Sequence, residues 1–332
     1  MIAPPPTPPA SGRGDVNAAI ATAAARFTFS ATPRLDAELL MAHALGIGRN
    51  AILLDPDRYA VPATFAALVE RRLRHEPIAY ITGTRGFWSI DLTVGPGALV
   101  PRADSETLLI AAQAHFAGRA PAIVLDLGTG PGTLLLAALD EWPAQGLGVD
   151  FSSQALAYAR TNAATLGMTD RARFIRGSWA SAIAGQFDLI LANPPYIATD
   201  ETLPAEVHDH EPHAALFAGR DGLDDYRILA RQLPALIAPG GAAVIEIGAT
   251  QAEPVTALLA AQGLHVALHH DYGANPRALV ATNVSRLRAP AHVIASARDL
   301  LQAKYAVSRH IVQGAVQGVG TLVATSARGL FP

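Results

Sequence analysis

From residue 122 onward, apolar runs of strand length alternate with segments long enough to form helices. A repeat of this kind places the strands parallel in one sheet, with helices on both faces. The last three apolar runs follow one another more closely, which favours an antiparallel edge. The sequence therefore predicts an α/β fold with a mostly parallel sheet. The strand candidates are IVLDL, GLGVD, ARFI, FDLILAN, AAVIEIG, HVALHH and ALVAT, and the main helix candidates are residues 154–166, 223–237 and 252–262.

The chain ahead of the alternating region carries a helical pattern. Leu35, Leu39 and Ala44 recur at helical spacing, and Pro77 ends the block. We therefore predict a small helical domain over residues 15–86.

A Gly-Pro-Gly turn at residues 95–97 lies between two short apolar runs, residues 87–92 and 99–100. Two apolar runs around a Gly/Pro turn are typical of a β-hairpin. We predict a β-hairpin connector over residues 87–103, followed by the α/β domain over residues 104–284.

The two ends of the chain differ from the rest. Residues 1–14 contain five prolines and no apolar periodicity, so we predict a disordered, proline-rich tail. Residues 285–332 form an extension of unknown role with one predicted helix at residues 293–307. There is no secretory signal pattern and no run of eighteen strongly apolar residues, so we expect a cytoplasmic protein without a membrane partner.

Composition excludes some chemistry. The sequence has no cysteine, which excludes disulfides, thiolate metal sites and cysteine nucleophiles. The formal net charge is -3, whereas proteins that grip nucleic-acid phosphates usually carry a basic surplus. We therefore expect no direct nucleic-acid partner.

The run VLDLGTGPG leads from a buried strand into a glycine-rich turn that opens a helix. Such a turn leaves backbone N–H groups and the positive helix end facing a ligand. The glycines follow a G-x-G-x-G pattern, and Thr133 stands where a dinucleotide fingerprint needs its third glycine. Asp150 ends the next strand, where a carboxylate can accept ribose hydroxyls or cap a helix.

The run FDLILANPPYI places Asn193, Pro194, Pro195 and Tyr196 at the carboxyl end of an apolar strand. Ligands bind at such strand ends in open α/β sheets. An amide or aryl amine is a poor nucleophile because its nitrogen lone pair is delocalised. The Asn193 oxygen and the Pro194 carbonyl can accept both N–H groups, and Tyr196 can stack on the planar group. Consecutive prolines stiffen the turn.

These motifs, in this order, resemble a class I, Rossmann-like methyltransferase that acts on planar nitrogens. Residues 76–108 and 211–227 further resemble peptide-chain release factor N5-glutamine methyltransferases, and the helical block is similar to that family's small substrate-recognition domain. The resemblance runs from about residue 15 to residue 283. It implies methyl transfer from S-adenosylmethionine to the side-chain amide nitrogen (N5) of a glutamine, in the Gly-Gly-Gln motif of class 1 peptide-chain release factors.

The resemblance also implies site residues. The catalytic residues are Asn193, Pro194 and Tyr196, and no metal is expected. The donor-binding residues are Gly128, Thr129, Gly130, Pro131, Gly132, Asp150, Trp179 and Asn193. The substrate-binding residues are Asn193, Pro194, Pro195 and Tyr196. Trp179 could pack against the adenine or fill the core. The sequence departs from the family pattern at Ala103, Pro131 and Ser178.

Other functions remain open at this level. The NPPY motif also occurs in nucleic-acid adenine-N6 methyltransferases, although this chain has no long insertion that could recognise a target sequence. A glutamine methyltransferase for a ribosomal protein is a nearer alternative, and a non-catalytic binding protein a more distant one. His208, His210 and His213 match no standard zinc spacing, and we interpret them as part of a polar loop.

Overall fold

The computed structural model describes residues 15–283. The predictions for residues 1–14 and for residues 285–332, including the helix at residues 293–307, lie outside the described residues. Among residues 15–283, none of the helices has the length and apolar character needed to cross a bilayer.

Five helices form the first part of the described chain, as the apolar spacing predicts. The Asp15 carboxylate starts the first helix by accepting a hydrogen bond from the Ala18 backbone at 2.9 Å, which satisfies a free N–H. The buried apolar side chains of this region, such as Ile20, Phe27 and Met41, pack into a core cluster of their own. The helices are α1 (Val16–Arg26), α2 (Pro33–Leu45), α3 (Arg49–Leu54), α4 (Phe65–Leu73) and α5 (Ile78–Thr82).

A β-hairpin follows, but its predicted position is wrong. Strands β1 (Thr84–Phe87) and β2 (Ile90–Thr93) pair antiparallel with Phe87 opposite Ile90, so the chain turns at Trp88 and the next residue. Trp88 adopts a positive φ of 58°, and its backbone N–H donates to Glu106 at 2.9 Å. The two turn residues are neither Gly nor Asn, so the sequence pattern did not predict a turn at this position.

The Gly-Pro-Gly stretch at residues 95–97 has a different role from the one predicted. The Pro96 carbonyl accepts a hydrogen bond from the Gln154 side chain at 2.6 Å. The neighbouring side chains of Val94, Ala98 and Val100 are buried. Tertiary packing therefore holds this turn against the α/β domain, where it forms part of a wall and pairs with no strand.

The α/β region contains one seven-stranded sheet in the order β5-β4-β3-β6-β7-β9-β8. The first five strands in chain order pair in parallel, and β9 lies antiparallel between β7 and β8. The predicted mostly parallel sheet with an antiparallel edge is confirmed. The strands are β3 (Ile123–Leu127), β4 (Gln145–Asp150), β5 (Ala172–Arg176), β6 (Phe187–Ala192), β7 (Ile237–Glu246), β8 (Leu264–His270) and β9 (Pro276–Asn283).

Helices cover the sheet and bury two apolar clusters against it. One cluster includes Leu108 and Leu135, and the other includes Tyr226 and Leu229. Each fully buried side chain of this size contributes roughly 1.5–3 kcal/mol to folding. The helices are α6 (Glu106–Phe116), α7 (Thr133–Glu141), α8 (Ser153–Thr165), α9 (Ala205–His208), α10 (Asp224–Leu236) and α11 (Ala252–Ala260).

Strand β3 has β4 on one side and β6 on the other, so the chain order reverses at β3. A crevice forms at such a switch point, outside the carboxyl ends of the strands. The motifs found in the sequence follow β3, β4 and β6, and the fold brings them to this crevice.

Candidate active site

A cleft of about 600 Å³ opens at the carboxyl ends of β3, β4 and β6. This volume lies within the range of small-molecule sites, roughly 300–1,000 Å³. Its lining brings together most of the predicted site residues, which are distant in the sequence: Gly128, Thr129, Gly130, Pro131, Asp150, Trp179, Asn193 and Pro195.

The glycine loop is held by backbone bonds to the next strand. The N–H groups of Gly128 and Thr129 both donate to the Val149 carbonyl, at 2.9 and 3.0 Å. Gly132 immediately precedes α7 with a φ of 88°, and a Cβ there would lie 2.8 Å from Leu136. Gly132 is absent from the cleft lining, so its position in the structure indicates a role in shaping the turn.

Asp150 is buried at the end of β4, and both of its oxygens accept backbone hydrogen bonds. Gly130 donates to one oxygen and Ser152 to the other, each at 2.8 Å. Burial raises the pKa of Asp150, and these bonds oppose the rise. Because a carboxylate oxygen has two lone pairs, both oxygens can still accept from a ligand hydroxyl.

Asp126 is a site residue that sequence reasoning missed, although it lies within the VLDLGTGPG motif. It is fully buried, lines the cleft and accepts from the Thr129 hydroxyl at 2.6 Å and the Leu135 N–H at 3.1 Å. Its Oδ1 has no hydrogen-bond partner among the described residues. Burial raises the pKa of Asp126 to about 7. The sequence feature that could have identified Asp126 is an acidic residue within an otherwise apolar strand.

Trp179 packs against the core and also borders the cleft. Its ring lies over Gly128, where a Cβ would come within 3.1 Å of the indole. The indole N–H donates to Asp225 at 2.9 Å, and the ring packs against the apolar cluster around Tyr226. Trp179 also lines the cleft. It therefore supports the glycine loop from the core side while exposing part of its surface to the cleft.

The NPPY turn begins where β6 ends. Asn193 and Pro195 line the cleft, whereas Pro194 and Tyr196 are absent from its lining. The Asn193 side-chain nitrogen donates to the Ser105 hydroxyl oxygen at 3.1 Å. Burial, together with the nearby Glu246 carboxyl, raises the pKa of Tyr196 to about 12.

A second buried acidic residue, to which the sequence argument assigned no role, holds one wall of the cleft. Glu211 is buried and accepts from the Val100 backbone at 3.0 Å and from Arg102. Residues 97–102 thereby stay in place as one wall of the cleft. Glu211 belongs to the EPHAALF stretch, which the resemblance singled out without giving the residue a role.

The three histidines at the end of α9 and just beyond it contact protein groups. His208 faces Asp209, and its ring lies 5.0 Å from that of His213. His210 bonds to the Arg74 carbonyl at 3.0 Å, so this loop contacts the N-terminal helices. Within residues 15–283 no group of three or more His, Asp or Glu side chains is arranged to hold a metal ion.

Comparisons with known proteins agree with this architecture. Residues 18–83 match the PrmC N-terminal domain family, and residues 102–211 match the methyltransferase small domain family. A solved structure of ribosomal protein L11 methylase from Lactobacillus delbrueckii subsp. bulgaricus is 23% identical and covers 56% of this chain and 81% of its own. Its TM-score is 0.43, and a likeness at this level supports no inference about function.

Curated relatives are much more similar. The release factor glutamine methyltransferase of Rhodospirillum rubrum is 48% identical over 70% of this chain and 73% of its own length. The enzyme of the same name from Caulobacter vibrioides is 43% identical over 70% of this chain and 82% of its own length. That of Agrobacterium fabrum is 39% identical over 81% and 98%. The chain belongs to the release factor glutamine methyltransferase family.

Proposed function

We propose that this protein transfers a methyl group from S-adenosylmethionine to the side-chain amide nitrogen of a glutamine in a class 1 peptide-chain release factor. One observation carries the proposal. Asn193, at the start of the NPPY turn, lines the same cleft as the glycine loop and Asp150. A planar amide and a nucleoside-bearing methyl donor can therefore meet in one cleft.

The cleft fits the donor. Its volume suits a nucleoside-sized ligand, and its walls provide the loop backbone, a buried carboxylate at the end of β4 and an aromatic ring. We assign Asp150 to the ribose hydroxyls and residues 128–131 to the amino-acid end of the donor. S-Adenosylmethionine supplies a methyl group that is already activated by the sulfonium charge.

The acceptor chemistry rests on residues 193–196. The Asn193 oxygen and the Pro194 carbonyl accept the two N–H groups of the glutamine amide, which directs the nitrogen lone pair toward the methyl carbon. The nitrogen forms a bond to that carbon as the carbon–sulfur bond breaks, the sulfur keeps the electron pair, and one amide proton is released to water. Placement of the reacting atoms can contribute roughly 7–11 kcal/mol to lowering the barrier.

Label transfer tests the proposal. The purified protein is incubated with methyl-labelled S-adenosylmethionine and, separately, with a release factor, its Gln→Ala variant in the Gly-Gly-Gln loop, ribosomal proteins and duplex DNA. We expect label only in the unaltered release factor. Label in a ribosomal protein or in DNA, with none in the release factor, would overturn the proposed substrate.

A further inference from the structure

Glu246 is a buried carboxyl for which the proposed reaction has no direct use. It ends β7, next to the strand that carries the NPPY turn, and its exposed fraction is 1%. Its Oε2 has no hydrogen-bond partner among the described residues. Burying a carboxyl with incomplete pairing is unfavourable, so such groups concentrate at functional sites.

Two hydroxyl groups lie within hydrogen-bonding reach of this carboxyl, those of Ser105 and Tyr196. Tyr196 is the last residue of the NPPY turn, and Ser105 immediately precedes α6. A serine at this position ordinarily accepts a hydrogen bond from the first turn of the helix. Ser105 makes no such bond. Its hydroxyl accepts from Asn193 and lowers the pKa of Glu246 through a hydrogen bond, which points to a role other than capping.

The bond between Ser105 and Asn193 has a defined direction. The Asn193 Nδ2 donates to the Ser105 Oγ at 3.1 Å. A serine hydroxyl has one hydrogen and two lone pairs. If Glu246 accepts that hydrogen, Ser105 can only accept from Asn193. The amide of Asn193 is then oriented with its nitrogen toward Ser105, and its oxygen is left for another donor.

We propose that Ser105 and Glu246 are positioning residues that fix the orientation of the Asn193 side chain, so that its oxygen accepts an N–H of the substrate amide. The inference rests on the proposed function, because it assigns Asn193 the acceptor role in that reaction. A flipped Asn193 would present an NH₂ group to the substrate, and a donor cannot accept from the substrate N–H.

The surroundings of Glu246 allow it to carry a charge. Arg277 on β9 draws the Glu246 pKa down, but Arg277 also pairs with Asp271 at 3.1 Å and Asp104 at 3.3 Å. Burial dominates and raises the pKa of Glu246 to about 7. Tyr226, which also faces Glu246, donates its hydroxyl to the Glu246 backbone carbonyl at 2.9 Å. Ionisation near neutral pH therefore sets how firmly the carboxyl holds the Ser105 hydrogen.

The test compares single variants in the labelling assay at saturating donor, so that effects on donor binding, including those of Asp126 in β3, do not enter the comparison. Ser105→Ala and Glu246→Leu are expected to lower kcat by about 10- to 100-fold, with the donor Kd and the Tm close to wild type. Glu246→Gln is neutral at every pH and keeps one oxygen that can accept from Ser105, as the protonated carboxyl does, so its kcat should lie between that of Glu246→Leu and that of the wild type at high pH. Ser181→Ala and Glu253→Gln, both at exposed positions, serve as matched controls.

The pH profile of kcat supplies a readout that a purely structural role would not move. Wild-type kcat should rise as pH increases through about 7, where Glu246 ionises, and Glu246→Gln should lose this limb. Unchanged kcat in Ser105→Ala and Glu246→Leu, or a loss explained by donor binding or Tm, would overturn the inference while wild-type activity upheld the proposed function. A wild type that labels no release factor would overturn both.

Discussion

The Gln251 side-chain nitrogen donates a hydrogen bond to the Tyr196 carbonyl oxygen at 2.9 Å. The same nitrogen reaches the Gly222 carbonyl at 3.3 Å, and the Gln251 oxygen accepts from the Gly248 backbone at 3.1 Å. Gly222 has a φ of 68°, and a Cβ there would lie 2.3 Å from the Tyr196 oxygen. One glutamine thus fastens the end of the NPPY turn to two neighbouring loops.

Removal of this amide should loosen the turn. In Gln251→Ala the part-buried carbonyl and N–H groups lose their partner, so we expect the free energy of unfolding to fall by about 1–3 kcal/mol. We also expect a lower kcat, because the NPPY turn is less firmly held. Urea denaturation and the labelling assay measure the two effects. Gln262→Ala, at an exposed site, is the control, and equal behaviour of the two variants would contradict the prediction.

Asn193→Ala should abolish most methyl transfer without abolishing donor binding. The variant lacks the oxygen that accepts a substrate N–H, and misplacement of a reacting group can cost about 100-fold in rate. Calorimetry with S-adenosylmethionine and single-turnover labelling of the release factor separate the two quantities. Full activity in Asn193→Ala would remove this residue from the proposed mechanism.

Asp150→Ala should weaken donor binding above all. Hydrogen bonds to a charged group contribute about 1.5–3 kcal/mol, so loss of the ribose contact is expected to raise the donor Kd by about 10- to 100-fold. The Gly130 and Ser152 N–H groups also lose their acceptor in this variant. Asp150→Asn keeps one acceptor oxygen and should be intermediate. A donor Kd equal to that of the wild type in both variants would exclude a role in ribose binding.

Stability should depend on pH through Asp126. Burial raises the pKa of this carboxyl from its ordinary 3.8 to about 7, so the folded state binds its proton more tightly than the unfolded state. Its contribution to stability is therefore greatest below pH 3.8 and is lost as pH rises toward 7 and above. The unfolding free energy of Asp126→Asn relative to wild type should rise over this window. Denaturation of both proteins at several pH values measures this change. A difference in unfolding free energy that stays constant with pH would refute the raised pKa of Asp126.

Arg72 should be needed for the stability of the N-terminal helices. It is buried and pairs with Asp36 at 2.8 Å and with Glu206 of α9 at 2.9 Å. Arg72→Met leaves Asp36 buried without its cation, a change that costs about 3–5 kcal/mol. Arg74→Met, at an exposed neighbour, is the matched control in thermal denaturation. Similar Tm values for the two variants would contradict this role.

Replacement of Glu206, the second partner of Arg72, should affect substrate binding more than the free energy of unfolding. Glu206→Gln breaks the Arg72 contact to the segment that follows the NPPY turn, yet Arg72 keeps Asp36. We expect less than about 1 kcal/mol of destabilisation, because this carboxylate is partly exposed, and a higher KM for the release factor. An unchanged KM would show that this contact is unimportant for substrate binding.

Local pattern was sufficient to predict the sheet. The runs from IVLDL to ALVAT all form strands, because each is apolar and bounded by turn residues or a helix. The position of the hairpin was mispredicted because its turn uses Trp88 with a positive φ, which no residue pattern signals. A Gly-Pro-Gly turn looks the same whether it joins two paired strands or lines a cleft.

Site residues could be predicted only where a side chain with suitable chemistry also stands in a recognisable motif. Asn193 and Asp150 stand at strand ends, so their position in the cleft follows from the topology. Ser105 contacts Asn193 across 88 positions of sequence, and Glu246 lies at the end of a strand to which no motif assigned a function. Contacts of this kind depend on the relative placement of distant elements, which spacing along the chain does not encode.

Strand β9 runs against its neighbours, so it ends where the parallel strands begin. Asn283, its last residue, donates to the Ile237 carbonyl at the start of β7, at 3.1 Å. The NPPY turn lies at the opposite rim of the sheet, about 25 Å away for a strand of this length. A fluorophore attached at Asn283 would therefore sit one strand length from the bound glutamine, a separation suited to energy-transfer measurement of release-factor docking.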